Sequence, residues 1–151
     1  MEKQRTVTWE IMGVRVTNLP VSGTGEIESV HAEDLKRAEI KVARVLVREG
    51  FPFRGEEVRF IRKLLGLSLE KFAAQFGLTG SGVRKWEEEK RKVPLDPILQ
   101  VALRVFFASR LNIQLPTDFT QMKGREKAPK NLKIDYQTED TDGSQSFSQA
   151  S

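Results

Sequence analysis

Between residues 6 and 19 the chain reads TVTWEIMGVRVTNL, a run of β-branched and aromatic residues divided by Gly13. That pattern predicts a hairpin, with strands over 7–12 and 14–17 and the turn at Gly13. Pro20 closes it, because proline has no N–H to give a central ladder. SGTG at 22–25 is a turn signal, and EIESV at 26–30 predicts a third short strand. From His31 to Gly50 the spacing changes. Leu35, Ala38, Val42, Val45 and Leu46 recur at the interval of one helical face. Glu33 and Asp34 in the first turn and Arg48 in the last suit the helix dipole. Gly50 is a natural stop. Phe51 and Phe53, in the short connection that follows, are expected to pack between the two halves of the chain.

Residues 56–94 carry three more helical patterns in quick succession. Val58, Ile61, Leu64 and Leu65 line one face of the first, which Gly66 closes. Ser68 is placed to cap the second, over 69–76, whose apolar face is Leu69, Phe72, Ala73 and Phe76. Gly77 permits a turn, and Thr79 can cap the third helix, over 80–88, by accepting a backbone N–H of the next turn. Val83 and Trp86 are three apart and are expected to face inward. Asp96 and Pro97 have the form of an N-cap and a proline in the first helical position, opening a longer helix over 97–111. Its apolar residues cover a wide arc, with Ile98, Ala102, Val105 and Phe106 in one stripe and Leu99, Leu103 and Phe107 beside it. Such a helix must bury two sides. Either both lie in the core of one monomer, or one meets a second copy.

Beyond Pro116 the periodicity dissolves into a basic cluster (Lys123, Arg125, Lys127, Lys130, Lys133) and an acidic one (Asp135, Glu139, Asp140, Asp142). This composition predicts a mostly disordered tail over 116–151, in which 132–136 has the alternation of a short strand that pairs with a partner. The expected fold is therefore α+β. A small β-rich domain with one helix spans 1–50, a helix-turn-helix domain spans 51–115, and the tail follows.

An apolar content of 38% is enough for one compact domain or two small ones. The net charge of +4 suits an acidic partner without by itself proving nucleic-acid binding. The chain has no cysteine and a single histidine, His31, so no metal site and no cofactor are expected. No apolar run reaches the roughly 18 residues of a membrane span. The opening MEKQRTVTWE lacks an apolar signal core. A soluble, cytoplasmic protein without a membrane partner is expected. Gly23-Thr24-Gly25 is too short for a dinucleotide fingerprint, and no nucleophile stands beside a base. Catalysis is not expected.

The helix over 80–88 has the chemistry of a DNA reader. Phosphate contacts position such a protein, and contacts to base edges give it sequence preference. Gly80, Ser81, Gly82, Arg84 and Lys85 are expected outward. The small residues at its start let the backbone approach a groove, and a helix N-terminus suits phosphate. Arg84 or Lys85 can reach guanine O6 and N7, arginine better because its fork meets both acceptors. Lys90 and Arg91, just beyond, are placed for phosphate. The candidate DNA-binding residues are thus Ser68, Thr79, Ser81, Gly82, Arg84, Lys85, Lys90 and Arg91. The run Glu87-Glu88-Glu89 works the other way, since three carboxylates repel phosphate.

In order and spacing, Arg62, Gly66-Leu67-Ser68, Phe72-Ala73, Gly77-Leu78-Thr79, Val83, Trp86-Glu87, Arg91 and Pro94 resemble the XRE (Cro/CI-type) helix-turn-helix family over about 40 residues. The family often carries Gln, contacting DNA, where this chain has Leu69, and a different turn where it has Glu88-Glu89. The layout of the whole chain also resembles MqsA-type antitoxins, with Val21 and Thr24 where those carry zinc-binding cysteines. These resemblances imply a transcriptional regulator, an antitoxin-like autorepressor that binds a palindromic operator as a homodimer and has a toxin protein as partner. The alternative is a protein-interaction module that uses the fold without DNA.

Overall fold

The computed structural model describes residues 5–23, 29–90 and 97–138. Its elements run β1 (Thr6–Ile11), β2 (Val14–Pro20), α1 (Ala32–Arg48), α2 (Gly55–Leu64), α3 (Leu69–Ala74), α4 (Gly80–Glu88), α5 (Pro97–Leu111), α6 (Phe119–Met122) and β3 (Lys133–Asp135). The fold is α+β, and the described residues form a three-stranded sheet in the order β1-β2-β3 with six helices.

The first two strands form the expected antiparallel hairpin, Ile11 opposite Val14. Met12 leaves the strand for the turn. It and Gly13 have φ of 51° and 79°, the sense of twist that a two-residue hairpin loop requires. Val14, Val16 and Leu19 are buried, although strict alternation would send Leu19 to the opposite face. Asn18, at φ 59°, supplies the extra residue of a bulge that restores the inward face at Leu19. The third strand expected over 26–30 lies mostly outside the described residues, with Ser29 bridging Ser22.

The segment expected as tail departs from the prediction. Residues 116–138 are folded, while 139–151 lie outside the described residues. The 132–136 alternation pairs with this chain's own sheet, not with a partner: β3 lies parallel to β2, Val16 opposite Ile134. Arg15 N–H donates to the Leu132 carbonyl at 2.9 Å and Tyr136 N–H to Thr17 at 2.9 Å. The Tyr136 hydroxyl donates to Asp34 at 2.6 Å, and Arg125 Nε to the Glu49 carbonyl at 2.6 Å. Composition missed this because the segment's few apolar residues, Leu132, Ile134 and Tyr136, pack on a core built by other elements, and its hydrogen bonds go to β2, Asp34 and Glu49.

One core joins both halves. It includes Val14 and Val16 of the hairpin, Val42 and Leu46 of α1, Ile61 of α2, Phe72 of α3, Val83 of α4 and Phe107 of α5. Phe51 and Phe53 are buried as expected, the Phe53 ring meeting Phe107 edge-on at 5.2 Å. The α5 helix divides its apolar arc. Leu103, Phe107 and Ala108 are buried, while Ile98 is 70% and Val105 45% exposed.

Two polar residues of α5 are buried with them. Gln100 exchanges two 2.9 Å hydrogen bonds with the Phe53 backbone, standing in for a missing strand partner. Arg104 donates to the carbonyls of Met122 (2.8 Å) and Phe51 (3.0 Å), and its guanidinium lies 4.4 Å from the Phe53 ring centroid. Burial lowers its pKa to about 9, so it still carries its charge at neutral pH. This side chain ties the connector, α5 and the end of α6 to one point.

Candidate nucleic-acid interface

The turn between α3 and α4 is built by local chemistry. Ser68 Oγ accepts Lys71 N–H at 3.1 Å and Thr79 Oγ1 accepts Gly82 N–H at 3.2 Å, each capping its helix. Gly77, at φ 67°, makes the reversal between them. Ser68→Ala and Thr79→Ala are each expected to cost about 1 kcal/mol of stability, measured by urea unfolding. A loss of duplex affinity in either variant without a loss of stability would mean that the hydroxyls also touch the ligand.

The third helix of the motif sorts its residues by face. Val83 is fully buried, Trp86 half-buried and packed on the core, and Glu87 buried. Ser81, Arg84 and Lys85 are exposed, and Gly82 is half-exposed with its N–H taken by Thr79. Lys90 is exposed just past the helix, and its carbonyl accepts Glu56 N–H at 3.0 Å. Arg91 lies outside the described residues. Ser81, Arg84 and Lys85 therefore share one outward surface, while Ser68 and Thr79 have their hydroxyls engaged as caps.

Glu87 corrects the expectation of a repulsive acidic run. Its carboxylate meets Arg62 in a two-point contact, Nε–Oε2 2.6 Å and Nη2–Oε1 2.9 Å, and Arg62 Nη1 also donates to the Leu67 carbonyl at 2.7 Å. Both side chains are buried, so this charge is neutralised inside the fold and does not face a ligand. Glu88 and Glu89 remain exposed. Gly55 explains how α2 and α4 come close enough for the bridge. A Cβ there would lie 1.8 Å from the Trp86 carbonyl oxygen, so only glycine fits.

Two features of the surface were not read from the sequence. A Cβ on Gly80 would lie 2.9 Å from Glu70 Oε1, so a carboxylate already stands beside the N-terminus of α4. Its charge satisfies the helix dipole and competes there with phosphate. The second feature is Arg59, exposed on α2, which lines a cleft with Arg62, Leu69, Arg84, Glu87 and Glu88. The signal for it lay in the three-residue interval from Arg59 to Arg62, which puts both on one helical face.

Among the described residues no group of three His, Cys, Asp or Glu could hold a metal ion, and no helix is long and apolar enough to cross a membrane. No protein-family model matches the chain, and neither does a curated protein or a solved structure.

Proposed function

We propose that this chain is a sequence-specific DNA-binding regulator of the XRE type, acting in the cytoplasm by binding and not by catalysis. The observation that carries the reading is the division of α4, with Val83 and Glu87 buried while Ser81, Arg84 and Lys85 stand exposed together. The capped α3–turn–α4 unit is the frame with which a recognition helix enters the major groove. In this reading Ser81 and one of Arg84 and Lys85 meet base edges, and Lys90 and Arg91 meet phosphate. Ile98 and Val105, exposed on α5, support a homodimer whose two recognition helices sit about 34 Å apart over the halves of a palindrome. An antitoxin-like autorepressor with a toxin partner is the finer form of the same proposal.

Selection from random duplexes, followed by titration of the selected site, tests this. The selected site is expected to be a palindrome with half-sites one helical turn apart. Arg84→Ala with Lys85→Ala should weaken it by about 1–3 kcal/mol per lost base contact. Equal affinity for selected and random duplexes at physiological salt would remove the sequence-specific reading. The competing reading, an interaction module without DNA, is favoured by Leu69 and Glu88, which place an apolar and an acidic group beside this surface. It predicts no duplex affinity for the double substitution to reduce.

A further inference from the structure

We infer that the cleft between α2 and α4 is an anion site, in which Arg59 and Arg84 close on one phosphate group from opposite walls. The cleft has a volume of about 240 Å³, and one of its lining residues, Arg84, lies a helical turn from Ser81 on the outward face of α4. Its charges separate into two layers. At the floor, Arg62 and Glu87 are buried and neutralise each other. At the rim, Arg59 and Arg84 are exposed, and among the described residues neither side chain takes part in an ion pair or hydrogen bond. Among the described residues Glu88 is the single exposed carboxylate lining the cleft, so two guanidiniums face one acid there.

Leu69 gives its wall no polar atom, which leaves the guanidiniums to hold an anion themselves. The usual alternative, the N-terminus of α4, has the Glu70 carboxylate beside it. Arginine suits the role because its planar fork gives two parallel donors to phosphate oxygens. The buried Arg62–Glu87 bridge holds the two walls at a fixed separation, so the cleft is formed before a ligand arrives. The source of the phosphate, a DNA backbone, rests on the regulator reading. The anion chemistry of the cleft does not.

The experiment has two arms, both on the full chain. In the first, affinity for the selected duplex is measured against KCl concentration for the natural protein, Arg59→Gln and Arg59→Lys. Arg59→Gln is expected to bind about tenfold more weakly. Its plot of log affinity against log salt should be less steep by about 0.9, the value of one phosphate. Preference among base sequences should stay unchanged, and Arg59→Lys should keep the slope. A slope and affinity unchanged in Arg59→Gln would overturn the assignment.

In the second arm, inorganic phosphate is titrated against the protein while the arginine Nε–H resonances are followed by NMR. Saturable shifts at both Arg59 and Arg84, lost in Arg59→Gln, support the cleft as an anion site. Shifts at neither overturn it. Should the natural protein bind no duplex, the regulator reading falls, and the second arm still decides the cleft. Arg59 is exposed, so the substitution leaves the core intact, which circular dichroism checks.

Discussion

Replacement of Glu87 by alanine is expected to lower folding stability by about 3–5 kcal/mol. Arg62 is 8% and Glu87 6% exposed, so neither can turn to water when its partner is removed. The alanine variant leaves the Arg62 guanidinium in the core with only the Leu67 carbonyl to receive it. The size of the loss lies in that uncompensated charge, not in the strength of the bridge. Arg62→Met combined with Glu87→Leu should therefore recover most of the stability, since a buried ion pair is often no better than apolar residues of similar volume. Urea unfolding of the two single variants and the double variant gives the coupling directly. A Glu87→Ala variant within 1 kcal/mol of the natural protein, by the standard of an exposed pair, would show that the bridge is not buried in solution.

Phe72→Ala is the apolar counterpart and should cost about 3–5 kcal/mol. The ring has no exposed surface and stands at the centre of an aromatic group, 5.2 Å from Phe76, 5.8 Å from Phe106 and 5.9 Å from Phe107 between centroids. It is also the main anchor of α3, a helix of 6 residues that is too short to persist unaided. Losing the ring therefore takes the α3–α4 turn with it. Phe72→Leu keeps most of the volume and should cost less than about 1.5 kcal/mol. Near-ultraviolet circular dichroism with thermal melting checks both. Equal melting temperatures for the alanine variant and the natural protein would contradict this placement of Phe72. The consequence for function follows from the frame: any duplex affinity should fall in Phe72→Ala at temperatures where α3 is lost, although Phe72 itself is fully buried.

Several elements were legible because their signals are local. The hairpin around Gly13, the caps at Ser68 and Thr79, and the helices over 80–88 and 97–111 are written in residues a turn or less apart. The inward placement of Val83 and the outward placement of Arg84 and Lys85 follow from helical periodicity once the register is known. The site residues missed by sequence reasoning are of another kind. Arg59 gained a candidate role only when α2 and α4 were seen to flank one cleft. Glu87 changed from a repulsive surface charge to an internal one because Arg62, 25 residues earlier, reaches it.

The segment after Pro116 shows the same limit. Its basic and acidic clusters have the composition of a solvated tail, and its few apolar residues, among them Leu132 and Ile134, pack only on a core built by other elements. Order comes instead from contacts about 100 residues distant in sequence, Tyr136 to Asp34 and β3 to β2. Arg104 is similar, since a charged residue in an apolar helix reads as a solvent-facing break until the Phe51 and Met122 carbonyls are brought to it.

By itself the sequence determined the helices over 80–88 and 97–111, the hairpin, the capped turn and the face of α4 that points outward. These depend on backbone preference and on periodicity, which act within a few residues. The tertiary structure alone decided which charges are neutralised, which carboxylate stands beside α4, that 116–138 joins the fold and where two exposed arginines flank one cleft. Those outcomes depend on burial and on distances between elements remote in sequence, and electrostatic free energy is set by environment more than by residue type.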